Sequence, residues 1–402
     1  MPNLETQFCG LKFKNPFILA ASPSTDNLDM VRRAYEAGWA GAIMKTTSIP
    51  GTPVPLKYPM ITGRSHEGRR LFAMGNIDLI SEHHADDVAE RISTLKREFP
   101  EKITMASIMG ADKSQWQTLV RLLEQAGADA IECSFSCPQG TLGSKPGAML
   151  GQDIALVEKV TGWIKGAAKR IPIVIKLTPQ VADVVEAALA VKRGGGDAVC
   201  ASNTIPSLMG IDLETLRPIP DVGGKTSYSG LSGPAIKPIT LRVIAEIVRH
   251  TGMQVTGTGG AVSWRDAAEF LLVGARNVQF CTAVMKEGFR IIDHLKDGLS
   301  VFMERHGFET VEDFIGLSLK HIATHDELPE SGPVVSVIDH EKCIMCGLCY
   351  VACRDGGHMA IELDKKRRPL VDEEKCVGCG LCACVCPVTD CIRMETKPSR
   401  SS

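Results

Sequence analysis

Short apolar runs rich in β-branched residues alternate with longer amphipathic segments over about 280 residues of the chain. Because helical periodicity follows each run before the next begins, the runs are typical of strands in a parallel sheet. They fall at residues 17–21, 41–46, 103–108, 130–134, 173–177, 198–202, 254–258 and 277–281. The periodicity is clearest at residues 26–37, 114–126, 154–169 and 181–193. Several helices end in Ala-Gly or Gly-Gly, a C-cap signal before a strand.

Eight strand–helix units in about 280 residues predict an α/β fold of the (β/α)8 TIM barrel type. An open doubly wound sheet is the alternative, but no early G-x-G-x-x-G segment supports it. In a TIM barrel the functional side chains follow the carboxyl ends of the strands. Polar or reactive residues stand at these ends: Lys45, Thr46, Ser134, Ser136, Cys137, Lys176, Thr178, Asn203, Thr204 and Thr282.

Lys45 and Lys176 end two predicted strands inside the barrel mouth. A buried ammonium group costs free energy unless it meets an anionic or hydrogen-bonding partner. One such lysine is explained by a side chain that reaches outward to water, but two at matching positions indicate a bound group. Gly259 and Gly260 follow the seventh strand, where TIM barrels commonly bind phosphate through backbone N–H groups. The loop 229–234 offers further donors, so we expect a phosphorylated cofactor.

Two cysteine runs near the end of the chain share the spacing C-x2-C-x2-C-x3-C. This spacing, with Pro387 after the last cysteine, is typical of two [4Fe-4S] clusters in bacterial ferredoxins. In such modules the fourth cysteine of each run ligates the other cluster. The predicted ligands are Cys343, Cys346, Cys349 and Cys386 for one cluster, and Cys376, Cys379, Cys382 and Cys353 for the other.

Other uses of cysteine fit the two runs less well. A zinc ribbon needs only four ligands in two C-x2-C pairs, and disulfide scaffolds belong to short secreted chains. One departure from the ferredoxin pattern is Arg354, which stands where proline is expected after the first run. Cys384 and Cys391 fall outside the pattern, and we interpret them as packing or shielding residues.

Because clusters transfer electrons singly, the barrel should contain a redox centre that uses or supplies them. FMN is the expected cofactor, because a flavin joins such clusters to organic substrates.

Composition excludes several classes of protein. Of 402 residues, 44% are hydrophobic and 23% charged, as in globular proteins, and the net charge of −2 implies no general attraction to nucleic acid. No apolar run approaches the ~20 residues of a membrane helix. We recognise no secretory signal, and fifteen cysteines therefore predict a reducing, cytoplasmic location.

Six short segments carry a resemblance to a known family: Gly75-Asn76-Ile77, Ala106-Ser107-Ile108-Met109, Ser136-Cys137-Pro138-Gln139-Gly140, Lys176-Leu177-Thr178-Pro179, Ser202-Asn203-Thr204 and Thr258-Gly259-Gly260. They resemble the dihydropyrimidine dehydrogenases, whose barrel is shared with dihydroorotate dehydrogenases. The similarity covers almost the whole chain, cysteine runs included, and is greatest for the FMN and iron–sulfur subunit of bacterial NAD-dependent enzymes.

The resemblance implies reversible, NAD-linked reduction of the C5–C6 double bond of uracil or thymine to the 5,6-dihydropyrimidine. A partner flavoprotein that binds FAD and NAD(H), in a heterotetramer of two copies of each subunit, would send electrons through the clusters to FMN. After hydride transfer to C6, Cys137 would act as general acid and protonate C5 from the opposite face. The implied substrate residues are Asn76, Ser134, Asn203 and Thr204. The implied FMN residues are Ala20, Ala21, Lys45, Thr46, Asn76, Lys176, Ser202, Ser232, Gly233, Gly259, Gly260, Cys281 and Thr282.

Three positions depart from the family pattern. Ser134 replaces an expected substrate-binding asparagine, Gln139 replaces the histidine of animal enzymes, and Gln180 replaces an asparagine after Thr-Pro. Serine lacks the paired donor and acceptor of an amide. The same chemistry on another cyclic amide or activated ring C=C is therefore a second hypothesis. A non-catalytic electron-carrier subunit is a third, whereas a dihydroorotate dehydrogenase is disfavoured by the cysteine runs.

The expected organisation has three parts. Residues 1–304 form the FMN-binding barrel, residues 305–335 a linker, and residues 336–396 a ferredoxin-like domain with two [4Fe-4S] clusters.

Overall fold

The computed structural model describes residues 2–66, 69–136, 150–329 and 332–396, with only the backbone for residues 65, 66 and 69–71. The chain divides into two compact units, Met1–His321 and Ile322–Ser402. None of the helices within these described ranges is long and apolar enough to cross a membrane.

Eight parallel strands close into a barrel in the first unit, each paired with the next along the chain and the last with the first. The strands are β1 Phe17–Leu19, β2 Gly41–Thr47, β3 Ile103–Ile108, β4 Ala130–Ser134, β5 Ile173–Lys176, β6 Ala198–Ala201, β7 Gln254–Thr258 and β8 Ala275–Phe280. The helices are α1 Leu28–Ala37, α2 Ala85–Glu98, α3 Lys113–Gln125, α4 Ile154–Lys165, α5 Val184–Arg193, α6 Lys237–Thr251, α7 Trp264–Leu272, α8 Thr282–Glu287 and α9 Ile291–His306. The predicted TIM barrel is confirmed.

A hairpin of Thr6–Phe8 and Leu11–Phe13 precedes the barrel. Phe8 and Phe13 are buried in a cluster with interior strand residues such as Ile43. The large core lies between strands and helices, and Val311 and Phe314 also belong to it. Part of the segment expected as a linker therefore packs onto the barrel.

Two long loops, after β2 and β6, build a second sheet at the carboxyl end of the barrel. Its four antiparallel strands are, in order, Ile205–Ser207, Ser229–Ser232, Arg69–Asn76 and Ile61–His66. We call it the cap sheet. A smaller hairpin, Ile211–Asp212 with Arg217–Pro218, lies within the second loop. The cap sheet positions residues far apart in sequence above the strand ends.

Among its described residues, the second unit contains two antiparallel strand pairs and two α-helices. Val334–Ile338 pairs with Ile392–Thr396, and Ile361–Leu363 pairs with Pro369–Val371. The helices are Leu348–Gly356 and Leu381–Val385. The cysteine runs enclose a small core with Ile338, Ile361 and Ile392.

Candidate active site

Lys45 occupies the carboxyl end of β2 and is only 9% exposed. Its Nζ lies 2.9 Å from Asp78 Oδ2 and 3.6 Å from Asp26 Oδ2. Asp26 also accepts a hydrogen bond from the Ser81 hydroxyl. Two carboxylates thus offset the cost of burying the ammonium group. Sequence reasoning missed both, although Asp26 follows β1 and Asp78 lies two residues after Asn76 in a motif of the family resemblance.

A second buried ion pair lies inside the barrel between β4 and β5. Lys176 Nζ lies 3.4 Å from Oε1 of Glu132, a residue with 0% exposure. The other carboxylate oxygen accepts a 2.9 Å hydrogen bond from Gln279 Nε2 on β8. Burial lowers the pKa of Lys176, but the neighbouring Glu132 carboxylate raises it overall above its ordinary value, so the ammonium stays charged.

Glu132 was also missed, but the sequence contains a signal for it. It is an acid within an otherwise apolar strand, two residues before Ser134 and therefore on the same face of the strand. The register between β4 and β5 pairs Ser134 with Lys176, so the acid lies one layer below the lysine. An acid and a lysine on the same face of adjacent strands predict an ion pair.

Three predicted substrate residues lie in or directly beside the cap sheet. Asn76 pairs with Gly230, and its Nδ2 donates to the Gly230 carbonyl over 3.3 Å. A Cβ atom on Gly230 would lie 2.4 Å from Thr204 Oγ1, so the Thr204 side chain packs directly against Gly230, the residue that pairs with Asn76. Asn203 Nδ2 donates to Ser136 Oγ over 2.5 Å. The structure therefore links Asn76, Thr204 and Asn203 to the end of β4.

The remaining predicted substrate residue, Ser134, ends β4, and the predicted acid, Cys137, follows it three residues later. Ser134 is buried, and its short hydroxyl leaves more room than an amide side chain. Cys137 belongs to residues 137–149, which lie outside the described residues. Its role as general acid stays a prediction.

Hydroxyl groups line the junction between the cap sheet and the ends of β6 and β8. Ser232 Oγ donates to the Met74 carbonyl and accepts from Thr282 Oγ1, each over 3.0 Å. Ser202 Oγ is buried and has no hydrogen-bond partner among the described residues. Gly233, next to Ser232, has a φ of 88°. These predicted cofactor residues lie at neighbouring elements of one barrel end.

The other predicted cofactor residues lie at the ends of β1, β2 and β8. Ala20 N donates to Phe280 O over 2.9 Å, which places Ala20 and Ala21 beside the end of β8. Thr46 Oγ1 lies 2.8 Å from Ser107 Oγ on β3. Cys281 immediately precedes α8, and burial raises the pKa of its thiol.

Gly259 and Gly260 follow β7 in the loop that leads to α7, and their φ angles are 119° and 93°. A Cβ atom on Gly260 would lie 2.6 Å from Lys237 N, and one on Gly259 would lie 2.6 Å from Thr240 Oγ1. Positive φ angles and close packing both require glycine here. The glycines are therefore explained without a phosphate, and the evidence for a bound group rests on the polar side chains.

Those side chains fit FMN by the chemistry of their donors and acceptors. Lys45 and Lys176 supply two buried ammonium groups. Within the described residues, Ser202 Oγ, Asp78 Oδ1 and Gln279 Oε1 are buried without hydrogen-bond partners. Buried polar atoms are rarely left unpaired in native proteins. A polar ring system bound in the mouth would provide the missing partners.

The second unit contains two cavities lined by cysteines, with empty volumes of about 340 and 330 Å3 that include space open to solvent. Cys386 lines the first with the initial three cysteines of the first run. Cys353 lines the second with the initial three of the second run. The structure thus brings together both predicted ligand sets, each completed by a cysteine from the other run.

Several cysteine sulfurs already accept backbone N–H groups, as cluster ligands do. Cys343 Sγ accepts from Met345 N over 3.4 Å, and Cys353 Sγ accepts from Ala360 N over 3.3 Å. In the described part of the chain, no group of three or more His, Cys, Asp or Glu residues has the arrangement of a single-ion site. A [4Fe-4S] cluster needs none, because each of its irons takes one cysteine.

Comparisons with known proteins agree with both units. The family model for dihydroorotate dehydrogenase matches residues 3–303, and that for a 4Fe-4S dicluster domain matches residues 336–394. The chain is 41% identical over 397 residues to "NAD-dependent dihydropyrimidine dehydrogenase subunit PreA" of Escherichia coli strain K12, covering 98% of this chain and 95% of that protein.

Two further relatives share the barrel. The "Dihydropyrimidine dehydrogenase (NADP(+)), chloroplastic" of Arabidopsis thaliana is 37% identical, over 81% of this chain and 79% of its own length. The "Dihydroorotate dehydrogenase B (NAD(+)), catalytic subunit" of Methanothermobacter thermautotrophicus is 33% identical, over 78% of this chain and 98% of its own length.

The cofactors follow from the two family matches. The dihydroorotate dehydrogenase family binds FMN, and the dicluster domain indicates two [4Fe-4S] clusters. The Escherichia coli relative is named as a subunit, which implies a partner subunit. The chain therefore belongs to the dihydroorotate dehydrogenase family of oxidoreductases, as a member that carries a 4Fe-4S dicluster domain after its barrel.

Proposed function

We propose that this chain is the catalytic subunit of an NAD-dependent dihydropyrimidine dehydrogenase, which reversibly reduces the C5–C6 double bond of uracil or thymine. The observation that carries the proposal is the adjacency of Asn76, Thr204 and Asn203 at the barrel mouth. Amide and hydroxyl groups match the alternating N–H and C=O groups of a pyrimidine. The 41% identity to the Escherichia coli subunit of that name supports the same substrate class.

In this proposal the residues of the chain bind, orient and protonate the ring. FMN, when bound, supplies the hydride for C6. Lys45 and Lys176 would hold FMN, and their positive charges favour the added electrons. Cys137 donates a proton to C5, because a thiol with a pKa near ~8.5 is mostly protonated at neutral pH. Solvent then returns a proton to the Cys137 thiolate.

We further propose that the partner subunit is a flavoprotein with FAD that oxidises NADH. Its electrons would enter through the two clusters and continue to FMN, in a heterotetramer with two copies of each subunit. We place this assembly in the cytoplasm, because fifteen cysteines are best kept as free thiols and metal ligands in a reducing compartment.

Ser134 favours a second candidate, the same reduction of another cyclic amide or activated ring C=C. The residue is buried at the end of β4 beside Lys176, where its hydroxyl replaces a larger amide. A site that hydrogen-bonds its substrate discriminates strongly against rings that leave its groups unpaired. The substrate is therefore best identified by direct competition among heterocycles.

Reoxidation of the prereduced protein tests the proposal without the partner subunit. The purified chain is reduced anaerobically with dithionite, freed of excess reductant, and mixed with uracil, thymine or orotate while the flavin absorbance is followed. Fast reoxidation by uracil or thymine supports the proposal. Reoxidation by orotate alone would favour dihydroorotate chemistry, and reoxidation by none of them would leave reduction of another ring or an electron carrier.

A further inference from the structure

The second unit consists of two similar halves. Each half has a strand, a loop with two cysteines, a helix whose second residue is the third cysteine and which carries or directly precedes a fourth, and a final strand. The halves start at Val334–Ile338 and Pro369–Val371, and end at Ile361–Leu363 and Ile392–Thr396. Cys353 and Cys386 are the fourth cysteines, and each lines the cavity that the loop of the other half forms. The halves therefore provide an internal comparison of two cluster sites.

The two sites differ at the residue directly before each final strand. Ala360 precedes one strand and lines the cavity that contains Cys353. Cys391 precedes the other and lines the cavity that contains Cys386. One cavity is therefore lined by four cysteines and the other by five. We call the site with Cys391 the five-thiol site and the other the four-thiol site.

Cys391 is buried at the cavity of a predicted cluster. The residue is only 2% exposed. Its thiol donates to the Asp339 carbonyl over 3.6 Å, and the residue lines the same cavity as Cys386. Cys384, the other cysteine outside the spacing pattern, is exposed and does not line either cavity. Only Cys391 of the two is therefore in reach of a cluster.

We propose that Cys391 is an alternative ligand of the cluster in the five-thiol site and replaces Cys386 when that residue is lost. A [4Fe-4S] cluster takes four cysteine thiolates, and this cavity offers five. When Cys386 is absent, the Cys391 thiol gives its proton to solvent as the iron–Cys391 bond forms at the iron that lacks its fourth cysteine. No iron changes its oxidation state. The four-thiol site has no such reserve, because its equivalent position is Ala360.

The internal repeat supplies the matched control for the experiment. Three variants of the full chain are prepared anaerobically and without added thiols: Cys386→Ala, Cys353→Ala and the double variant Cys386→Ala/Cys391→Ala. Iron and sulfide are determined per chain, and EPR spectra are recorded in the oxidised state. In that state a [3Fe-4S] cluster is paramagnetic, whereas an intact [4Fe-4S] cluster gives no signal.

We expect Cys386→Ala to keep about eight irons per chain and to give no three-iron signal. Cys353→Ala and the double variant should each lose about one iron and show that signal. Equal iron contents and spectra for Cys386→Ala and the double variant would overturn the proposal, as would loss of the whole cluster from Cys386→Ala. Cys391→Ala alone should keep both clusters. None of these readouts depends on turnover or on the substrate.

Discussion

Replacement of Glu132 by glutamine should destabilise the barrel by about 3–5 kcal/mol at neutral pH. The variant keeps the shape of the side chain but leaves the buried Lys176 ammonium without its carboxylate partner. At the observed separation of 3.4 Å, and an effective dielectric constant of ~20, the Coulomb attraction is about 5 kcal/mol. The expected destabilisation extends down to about 3 kcal/mol because the variant no longer buries a charged carboxylate and so avoids the cost of desolvating it.

Tryptophan fluorescence during urea unfolding measures this change in the barrel alone, because all four tryptophans, Trp39, Trp116, Trp163 and Trp264, lie in the first unit. The matched control is Glu246→Gln on α6. Glu246 lies 2.9 Å from Arg242 in an exposed pair, so its loss should cost only about 0.3–0.5 kcal/mol. Both variants make the same chemical change, and they differ in burial.

The cost of Glu132→Gln should shrink as the pH rises. In the unaltered protein the pKa of Lys176 is raised, so the stabilisation is complete below the unfolded value near ~10.4 and is lost as the pH rises through the folded value. In the variant the Glu132 carboxylate no longer raises that pKa, and burial, the largest influence, lowers it, so stability recovers as the lysine loses its proton below ~10.4. Equal losses in Glu132→Gln and Glu246→Gln, or a loss independent of pH, would refute this reasoning.

Three further predictions concern single residues. Cys137→Ala should lower turnover by about 10²–10⁴-fold with unchanged flavin and iron content, and normal turnover would instead identify an electron carrier. Ser134→Asn should raise kcat/KM for uracil by about tenfold if the missing amide limits pyrimidine binding, so an unchanged value would point to another ring. Gly260→Ala should destabilise the barrel in urea unfolding by more than about 1 kcal/mol beyond Gly288→Ala. Both positions have positive φ, but only at Gly260 would the new Cβ meet backbone, 2.6 Å from Lys237 N.

The barrel was predictable because its strands and helices have local signals. Each strand is a continuous apolar run, and parallel strands buried on both faces must have this composition. Once the strands are located, Lys45 and Lys176 follow as strand-end residues. The cysteine spacing likewise predicts that the fourth cysteine of each run ligates the other cluster. In the structure, Cys386 and Cys353 each line the cavity of the expected ligand set.

The cap sheet was not predictable from local patterns. Its strands Arg69–Asn76 and Ser229–Ser232 are separated by about 150 residues and pair only because both loops leave the same end of the barrel. The neighbours of Lys45 were missed for a related reason, since Asp26 and Asp78 approach it from two different loops. That Cys391 lines the same cavity as Cys386 depends on the turn between them, which the spacing pattern alone does not define.

The number of product molecules that the fully reduced chain forms tests most directly that the clusters supply electrons to a pyrimidine-reducing flavin. A fully reduced chain holds two electrons on FMN and one on each cluster, about four in all. Each reduction of uracil to 5,6-dihydrouracil consumes two electrons. We therefore predict about two dihydrouracil molecules per chain when the reduced protein meets excess uracil without further reductant. One molecule per chain would contradict electron transfer from the clusters to FMN, and none would contradict the proposed reaction.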